Sequence, residues 1–440
     1  METVLAEQVQ PAVQAPEWRL AARIAFRFCF VYFSLYCLST QIITSLVPLP
    51  NLEIPDPATF WPIRPIVFWT AAHIFGVSKP LVYRESGSGD KIFDWVLLFC
   101  MLVVSVFAVG IWSALDRRRP NYITLHKWFR LFIRFGLAGQ MMTYGMVKAV
   151  PLQMPFPFLG RLLERYGDFS PMGVLWSSVG ASPGYQIFAG CAELLGGVLL
   201  ILPRTTTLGA LVCLGDLSHV FVLNMTYDVP VKLLSFHLIL LSLFLLAPDL
   251  KRLADFFFLN RTTAPSADPQ LFAGRRANRI ALAAQIVVGV WLLGMNANAS
   301  RVAWHQYGGG RPLPPLYGIW EVEQQSIDGQ LRAPLLTDSD HWRRVIFDFP
   351  TRVTFQRMDD SFARYGASID AKNKTLVITD DQDKNWKANL TFERPATDQM
   401  TLDGKMDGHT VHMQVKLKDR NQFLLVNRGF HWIQEYPFNR

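Results

Sequence analysis

Nine polar side chains interrupt an otherwise apolar run of sequence: Tyr144, Lys148, Glu193, Asp216, His219, Asn224, Asp228, Lys232 and His237. Ammonium, carboxylate, imidazole and amide groups brought together could grip a polar headgroup, relay a proton, or join helices by ion pairs. Ionisable groups inside an apolar segment are costly, so their presence is by default a functional signal. Metal chemistry fits less well. His219, His237, Glu193 and Asp216 are suitable ligand types, but these segments hold no His-x-x-x-His or Glu-x-x-His pair, and Lys148 and Lys232 would repel a cation. No metal site is expected. His409 and His412, three apart on a predicted strand, face opposite sides and form no chelate. GxGxxG, phosphate-loop, Gly-x-Ser-x-Gly and HExxH patterns do not occur, and no cofactor is identifiable from motifs.

The elements that must position these groups follow from composition. The chain has 440 residues, 50% hydrophobic and only 18% charged, too apolar for an ordinary soluble protein of this length. The apolar residues collect in blocks of roughly 20, the length a helix needs to cross a bilayer. Seven are expected: 24–47, 92–115, 125–150, 184–202, 207–225, 231–247 and 279–295. The predicted fold is an α-helical polytopic membrane bundle of about seven spans (24–299) after a tail (1–23), followed by an all-β, antiparallel, barrel-like exterior domain (317–440). No apolar signal-peptide core precedes the first span, which therefore reads as an uncleaved signal anchor.

The net charge of +8 does not form one basic, aromatic-interleaved patch, so nucleic acid is not an expected partner; the lipid bilayer is. Instead Arg19, Arg23 and Arg27, then Arg117 to Arg119 with Lys127, then Arg204, then Lys251, Arg252, Arg261, Arg275 and Arg276 mark alternate loops. Basic residues stay cytosolic, which puts the amino terminus inside and the carboxyl-terminal domain outside. With 1.5 Å of rise per residue, the polar groups then fall between mid-bilayer and the outer surface on four consecutive spans. Gln140, Tyr144 and Lys148 share one stripe of the third span. Lys232 and His237, five apart, diverge by more than a right angle. Two arrangements satisfy this placement: a structural ion-pair lattice, or a hydrated pocket open to the outside.

The outer segments 48–91 and 151–183, rich in Pro and aromatic residues, read as membrane anchors or as lids over the pocket. Gly190, Gly196 and Gly197 leave small surfaces for close helix association. All five cysteines, Cys29, Cys37, Cys100, Cys191 and Cys213, lie within spans and read as small buried hydrophobes. After a Gly/Pro linker (300–316), short alternating runs at "GIWEVEQ", "RRVIFDF", "RVTFQRM", "TLVITD", "WKANLTFE", "QMTLDGKM", "TVHMQVKL" and "QFLLVNR" predict about eight sequential strands in a barrel, with a sandwich as the alternative. Asp328-Gly329, Asp403-Gly404 and Asp407-Gly408 are the expected hairpin turns.

The run from "YGMVK" through "AELLGG", "PRTTTLGALVCLGDLSHVFVLNMTYDVPVKLLSFHL" and "LFLLAPD" resembles the DoxX-like family of bacterial membrane proteins, over about 125–250. The ending "LLVNRGFHWIQEYPFNR" is similar to a longer subgroup of that family. The resemblance implies a bacterial plasma (inner) membrane location, with the carboxyl-terminal domain periplasmic or extracellular. Because the wider group includes a membrane subunit associated with thiosulfate:quinone oxidoreduction, it makes quinone the first candidate ligand, and it transfers no catalytic residue. A bundle followed by an exterior β domain is similar in plan to the vitamin K-dependent carboxylase class, where a lysine and a histidine act beside a hydroquinone; Lys148 or Lys232 with His237 matches that only by analogy. Gly318-x-Trp320 resembles the signature of lipocalin-like barrels, which implies that Arg428 packs across Trp320 to close one end. Such a barrel holds one small apolar ligand or is filled by side chains.

Three functions are thus expected as alternatives: binding or handling of an amphipathic quinone or lipid, a quinone-linked oxidoreductase subunit, or a membrane-anchored scaffold whose barrel docks a protein partner.

Overall fold

The computed structural model describes residues 17–48, 55, 57–78, 81, 83, 89–263 and 270–439. Most of the predicted tail and of "RESGSGDK" lies outside them. The chain divides into two compact units, 1–146 with 189–299, and 147–188 with 300–440.

The first unit is helical. Its long helices are α1 (Leu20–Ser39), α4 (Ile92–Leu115), α5 (Ile123–Ala149), α7 (Pro183–Ile201), α8 (Thr206–Thr226), α9 (Lys232–Leu246) and α11 (Arg275–Gln306), the ends of α5, α7 and α11 running into the second unit. Shorter helices are α2 (Gln41–Ser45), α3 (Ile63–His73) and α10 (Leu250–Phe257). Among the described residues, six helical segments are long and apolar enough to cross a membrane: Leu20–Ser39, Ile92–Leu115, Pro183–Ile201, Pro203–Thr226, Lys232–Phe257 and Arg275–Gln306. The expected third span, α5, has 27 residues, ample length, but Lys127, Arg130, Arg134 and Lys148 dilute its hydropathy.

The first span differs from its expected bounds. It ends at Ser39, and Thr40 is extended (φ −125°, ψ 176°) before α2 begins. Three hydroxyl and amide side chains, Ser39, Thr40 and Gln41, sit at this break. The Ser39 and Thr40 hydroxyls fold back onto Leu35 O (2.6 Å) and Tyr36 O (2.7 Å), which satisfies carbonyls the helix end leaves open.

Close helix packing depends on missing side chains. A Cβ on Gly145 of α5 would lie 2.8 Å from the Leu194 nitrogen of α7, and one on Gly209 of α8 would lie 2.9 Å from the Leu200 nitrogen of α7. Gly196 meets Cys213, and Gly197 meets Met142 and Ala138 O, so the expected small surface of α7 is the one used. At the opposite end of α1, Arg27 is 2% exposed and donates to Tyr122 Oη, Ser113 Oγ and the Asp116 carbonyl, each at 2.8 Å, a cation placed on the carbonyl end of α4. Arg130 does the same for α9, donating to Leu245 O at 3.2 Å and facing Asp249 at 3.7 Å. Both arginines tie down the carbonyl end of a neighbouring helix. Helix α3, too short to span, packs on α4 through Val67, Thr70 and Ala71 and leaves Trp61 and Trp69 exposed, as an interfacial segment would.

The second unit is built on a closed antiparallel barrel. Strands β1 (Gly318–Ile327), β3 (Trp342–Phe349), β4 (Arg352–Arg357), β5 (Phe362–Asp370), β6 (Thr375–Thr379), β7 (Lys387–Ala396), β8 (Gln399–Met406) and β9 (His409–Lys418) pair in sequence, and β9 returns to β1. The two-residue β2 (Gln330–Leu331) only extends the hairpin after β1. The register Trp320↔Leu417 and Val322↔Val415 seals the cylinder. Trp320, Phe347, Val353, Phe355, Leu376, Ile378, Leu402 and Met413 are fully or almost fully buried in one core, so side chains fill the interior. Each such burial contributes about 1.5–3 kcal/mol.

Three expectations for this domain are corrected. The run "QFLLVNR" is no strand but the short helix α12 (Leu424–Asn427), because β9 has already taken the last free edge of β1. The strand β5, "FARYGASID", was not expected, its small residues masking the alternation. Asp328-Gly329 and Asp407-Gly408 make left-handed turns (φ 49° and 78°, 50° and 83°), but Asp403-Gly404 lies inside β8, where a Cβ on Gly404 would sit 2.2 Å from Asn389 O. The linker also differs. Helix α11 runs on to Gln306, and Gly308 to Gly310 fold back over the Trp304 ring, so the Gly run makes a tight turn and not a flexible tether.

The outer segment 151–183, expected as a lid or anchor, lies within 147–188, which belongs to the barrel's unit. Leu159 packs on Ile319 and Ile346, which point outward from β1 and β3. Its amide donates to Asp348 Oδ2 at 2.7 Å, and Asp348 also meets Arg311 at 2.8 Å. Burial pushes the Asp348 carboxyl up despite these two donors. Helix α6 (Pro171–Gly180) starts from Ser170, whose hydroxyl accepts from Gly173 N at 3.1 Å with Pro171 in the first turn.

Candidate functional site

The expected polar residues resolve into separate groups. Asn224, Asp228 and Lys232 occupy the mouth of the α8–α9 hairpin. Asn224 donates to Ser235 Oγ (3.0 Å) and Val231 O (3.4 Å), while Lys232 Nζ lies 3.0 Å from Asp228 and 3.7 Å from Asp90. Asp90 organises this knot. Its two oxygens accept the backbone amides of Lys232 and Leu233, each at 2.9 Å, and the Gly89 amide donates to Pro230 O at 3.0 Å. A carboxylate from a segment 142 residues away thus caps the first turn of α9, where the helix dipole favours negative charge. Asp228 itself is exposed and takes a positive φ of 52°. This group has the geometry of a structural tie.

His237 faces elsewhere, as the expected divergence from Lys232 requires. Its Nδ1 lies 2.7 Å from Leu233 O, and its Nε2 lies 2.7 Å from the Tyr32 hydroxyl of α1. A carbonyl can only accept, so Nδ1 carries the hydrogen; on a neutral ring Nε2 accepts from Tyr32. The Tyr36 ring stacks on the imidazole at 3.9 Å and 10°, and Phe28 stacks on Tyr32. His237 is 2% exposed and Tyr32 and Tyr36 are 6% exposed each, so this trio is buried between α1 and α9.

Tyr144 belongs to a third group at the α1–α2 break. The Gln41 amide nitrogen donates to Tyr144 Oη (2.8 Å) and Gln140 Oε1 (2.9 Å), and Gln140 returns a bond to Gln41 O (3.1 Å). The expected stripe of Gln140 and Tyr144 is therefore real, and it faces α2. Glu193 is 3% exposed. Lys148 is buried at 8% and Asp216 is half-buried. His219 is exposed on α8 and joins none of these groups.

One end of the helical unit, formed by the carboxyl ends of α1 and α5 and the amino end of α9, thus concentrates hydroxyl, amide and imidazole groups. Tyr32, Tyr36, Gln41 and Asp90 were missed. The tyrosines at i and i+4 of α1 were visible as a polar stripe within an apolar span, whereas nothing local to Asp90 announces its distant helix.

In the barrel, Trp320 is fully buried and its Nε1 donates to Leu316 O at 2.9 Å. The cation over its ring is Arg394, at 5.3 Å, in place of the expected Arg428, which lies 4.0 Å over Phe438 in the tail beyond the closed barrel. His409 and His412 pair with different carboxylates, Asp328 (2.7 Å) and Asp403.

No family model matches the chain, and no solved structure matches it. The chain is similar to the uncharacterized protein YwoB of Bacillus subtilis (strain 168), 28% identical over 138 residues that cover 29% of this chain and 79% of that protein. The structure itself supplies several helices long and apolar enough to cross a membrane, and a closed antiparallel barrel.

Proposed function

We propose that the helical unit binds the polar head of an amphipathic small molecule, a quinone or a lipid, at the end where α1, α2, α5 and α9 converge. The carrying observation is the Tyr32–His237 hydrogen bond with Tyr36 stacked on the same imidazole. A quinone carbonyl needs a donor and a hydroquinone hydroxyl needs an acceptor; a Tyr–His pair can supply either by rotating one hydrogen. Gln41, Gln140 and Tyr144 add donors nearby, and the apolar helix surfaces suit the tail.

In this reading α5 is the seventh span, with Arg130 held by the helix-end carbonyl of Leu245, Lys127 by the loop carbonyls of Gln270 and Leu271, and Arg134 by the Thr206 and Gln285 side chains; the amino terminus is cytosolic and the barrel lies outside a bacterial plasma membrane. The DoxX-like resemblance and the alternation of basic loops support that placement. Asn224, Asp228 and Lys232 are better read as the tie that shapes the site than as ligand contacts, because Asp90 and Ser235 engage two of them.

Mass spectrometry of the organic extract from purified protein tests the reading. A near-stoichiometric quinone or lipid is expected, reduced severalfold in Tyr144→Phe protein whose melting temperature stays close to wild type and in His237→Ala protein compared at a temperature where it remains folded. Turnover of a reduced quinone that His237→Ala abolishes would move the protein into the redox class. Extracts without a defined molecule, or one retained by both variants, would remove the proposal.

A further inference from the structure

Far from that site, a groove of about 530 Å³ runs along the first unit between the amino-terminal halves of α5 and α11. Trp128, Leu131 and Phe135 of α5 form one wall, and Ile280, Ala284 and Val288 of α11 form the other. The volume is in the range of small-molecule sites. Its one polar lining side chain, Gln285, is already engaged: Nε2 donates to Ala281 O at 2.9 Å, and Oε1 accepts from Arg134. The depth of the groove therefore offers hydrocarbon contact and no open hydrogen bond, which suits an acyl chain.

Its aqueous end is different. Ile280, Ala284 and Val288 repeat every four residues, and the same row continues one turn earlier to Arg276, which is exposed. Lys127, next to Trp128, donates to Gln270 O (2.9 Å) and Leu271 O (2.7 Å), and Leu271 itself lines the groove, so this ammonium is fixed at the rim. Neither α5 nor α11 contains a single Asp or Glu. A cationic rim above a hydrocarbon slot, with no carboxylate on either framing helix, complements a molecule with an anionic head and an apolar tail.

We propose that this groove is a binding site for an anionic phospholipid of the adjacent leaflet, its chain between α5 and α11 and its phosphate at Arg276 and Lys127. The site is separate from the Tyr32–His237 end, and either can fail without the other. Cations beside a membrane surface each favour anionic lipid by about 1 kcal/mol, and two together give a preference of about thirtyfold over a zwitterionic lipid.

Trp128, 42% exposed and in the groove wall, is the reporter. Full-length protein is placed in phosphatidylcholine nanodiscs containing chain-brominated phosphatidylglycerol or chain-brominated phosphatidylcholine, and the emission difference between wild type and Trp128→Phe isolates this indole. Half-quenching is expected at about thirtyfold less of the brominated phosphatidylglycerol, and Arg276→Gln, at a side chain with solvent access, should reduce the preference to about fivefold. Ala284→Phe, which fills the slot, should protect Trp128 from both. Equal quenching by the two lipids in wild type, a preference that survives in Arg276→Gln with Lys127→Gln, or a Trp128 that neither lipid reaches would each overturn the proposal.

Discussion

The Tyr32 hydroxyl and His237 Nε2 meet at 2.7 Å across the α1–α9 interface. Each supplies what the other lacks in a buried helix contact, a donor for the imidazole and an acceptor for the phenol. Tyr32→Phe removes the donor while conserving shape, leaving Nε2 buried without a partner. The expected cost is about 1–3 kcal/mol, read as a lowered melting temperature in detergent or nanodiscs. An unchanged melting temperature would show that water already serves this nitrogen.

Asp90 holds α9 from another segment of the chain. Asp90→Ala uncaps the Lys232 and Leu233 amides and removes one carboxylate from Lys232. A loss of about 1–2 kcal/mol is expected, concentrated in faster hydrogen exchange at the first turn of α9. Asp90→Asn keeps one acceptor and should recover part of the protection. Exchange spread evenly over α8 and α9 would contradict a local cap.

In the second unit, burial opposes ionisation of Asp360, but Arg165 and Arg343 outweigh it and hold the carboxyl below the usual range. A folded-state value lowered in this way contributes stability above the ordinary carboxylate titration, lost as pH falls through the lowered value. Protection factors of amides 161–169 should therefore drop on acidification from neutral pH to about pH 3. Asp360→Asn should flatten that dependence by starting from the weaker state. Identical pH profiles for the two proteins would exclude this pair as the cause.

Gly404 occupies a strand position that only glycine fits. A Cβ there would overlap Asn389 O of the neighbouring strand at 2.2 Å, on a backbone with φ of 154°. Gly404→Ala is expected to cost about 2–5 kcal/mol. Gly408→Asn, at a turn with open space around it, should cost less than about 1 kcal/mol. Equal losses in a denaturation series would show that the ladder adjusts around the new methyl group.

Much of this architecture was legible because hydrophobic patterning reports burial directly. The membrane helices follow from apolar length, and seven of the eight barrel strands follow from alternation. Strand β5 was hidden because Gly366, Ala367 and Ser368 alternate in side but not in polarity. The run 422–428 misled because a sequence carries propensity but not the fact that no ladder partner remains. The site was legible in residue type and not in grouping. His237 and Lys232 were seen to diverge, but their partners, Tyr32 and Asp90, come from chain 205 and 142 residues away, where no local pattern encodes the meeting. Asp403-Gly404 shows the same limit: a turn-forming pair is also the pair a close strand crossing needs.

The docking of Leu159 onto Ile319, Ile346 and Asp348 has a consequence for biosynthesis. The Leu159 amide and the Asp348 carboxylate are separated by 189 residues, which a ribosome adds in about 10–40 s. Throughout that interval the apolar patch around Leu159 has been made but its platform has not. The nascent chain must shelter it by a membrane surface or a holdase, and a protease present during translation meets this segment at its most vulnerable moment.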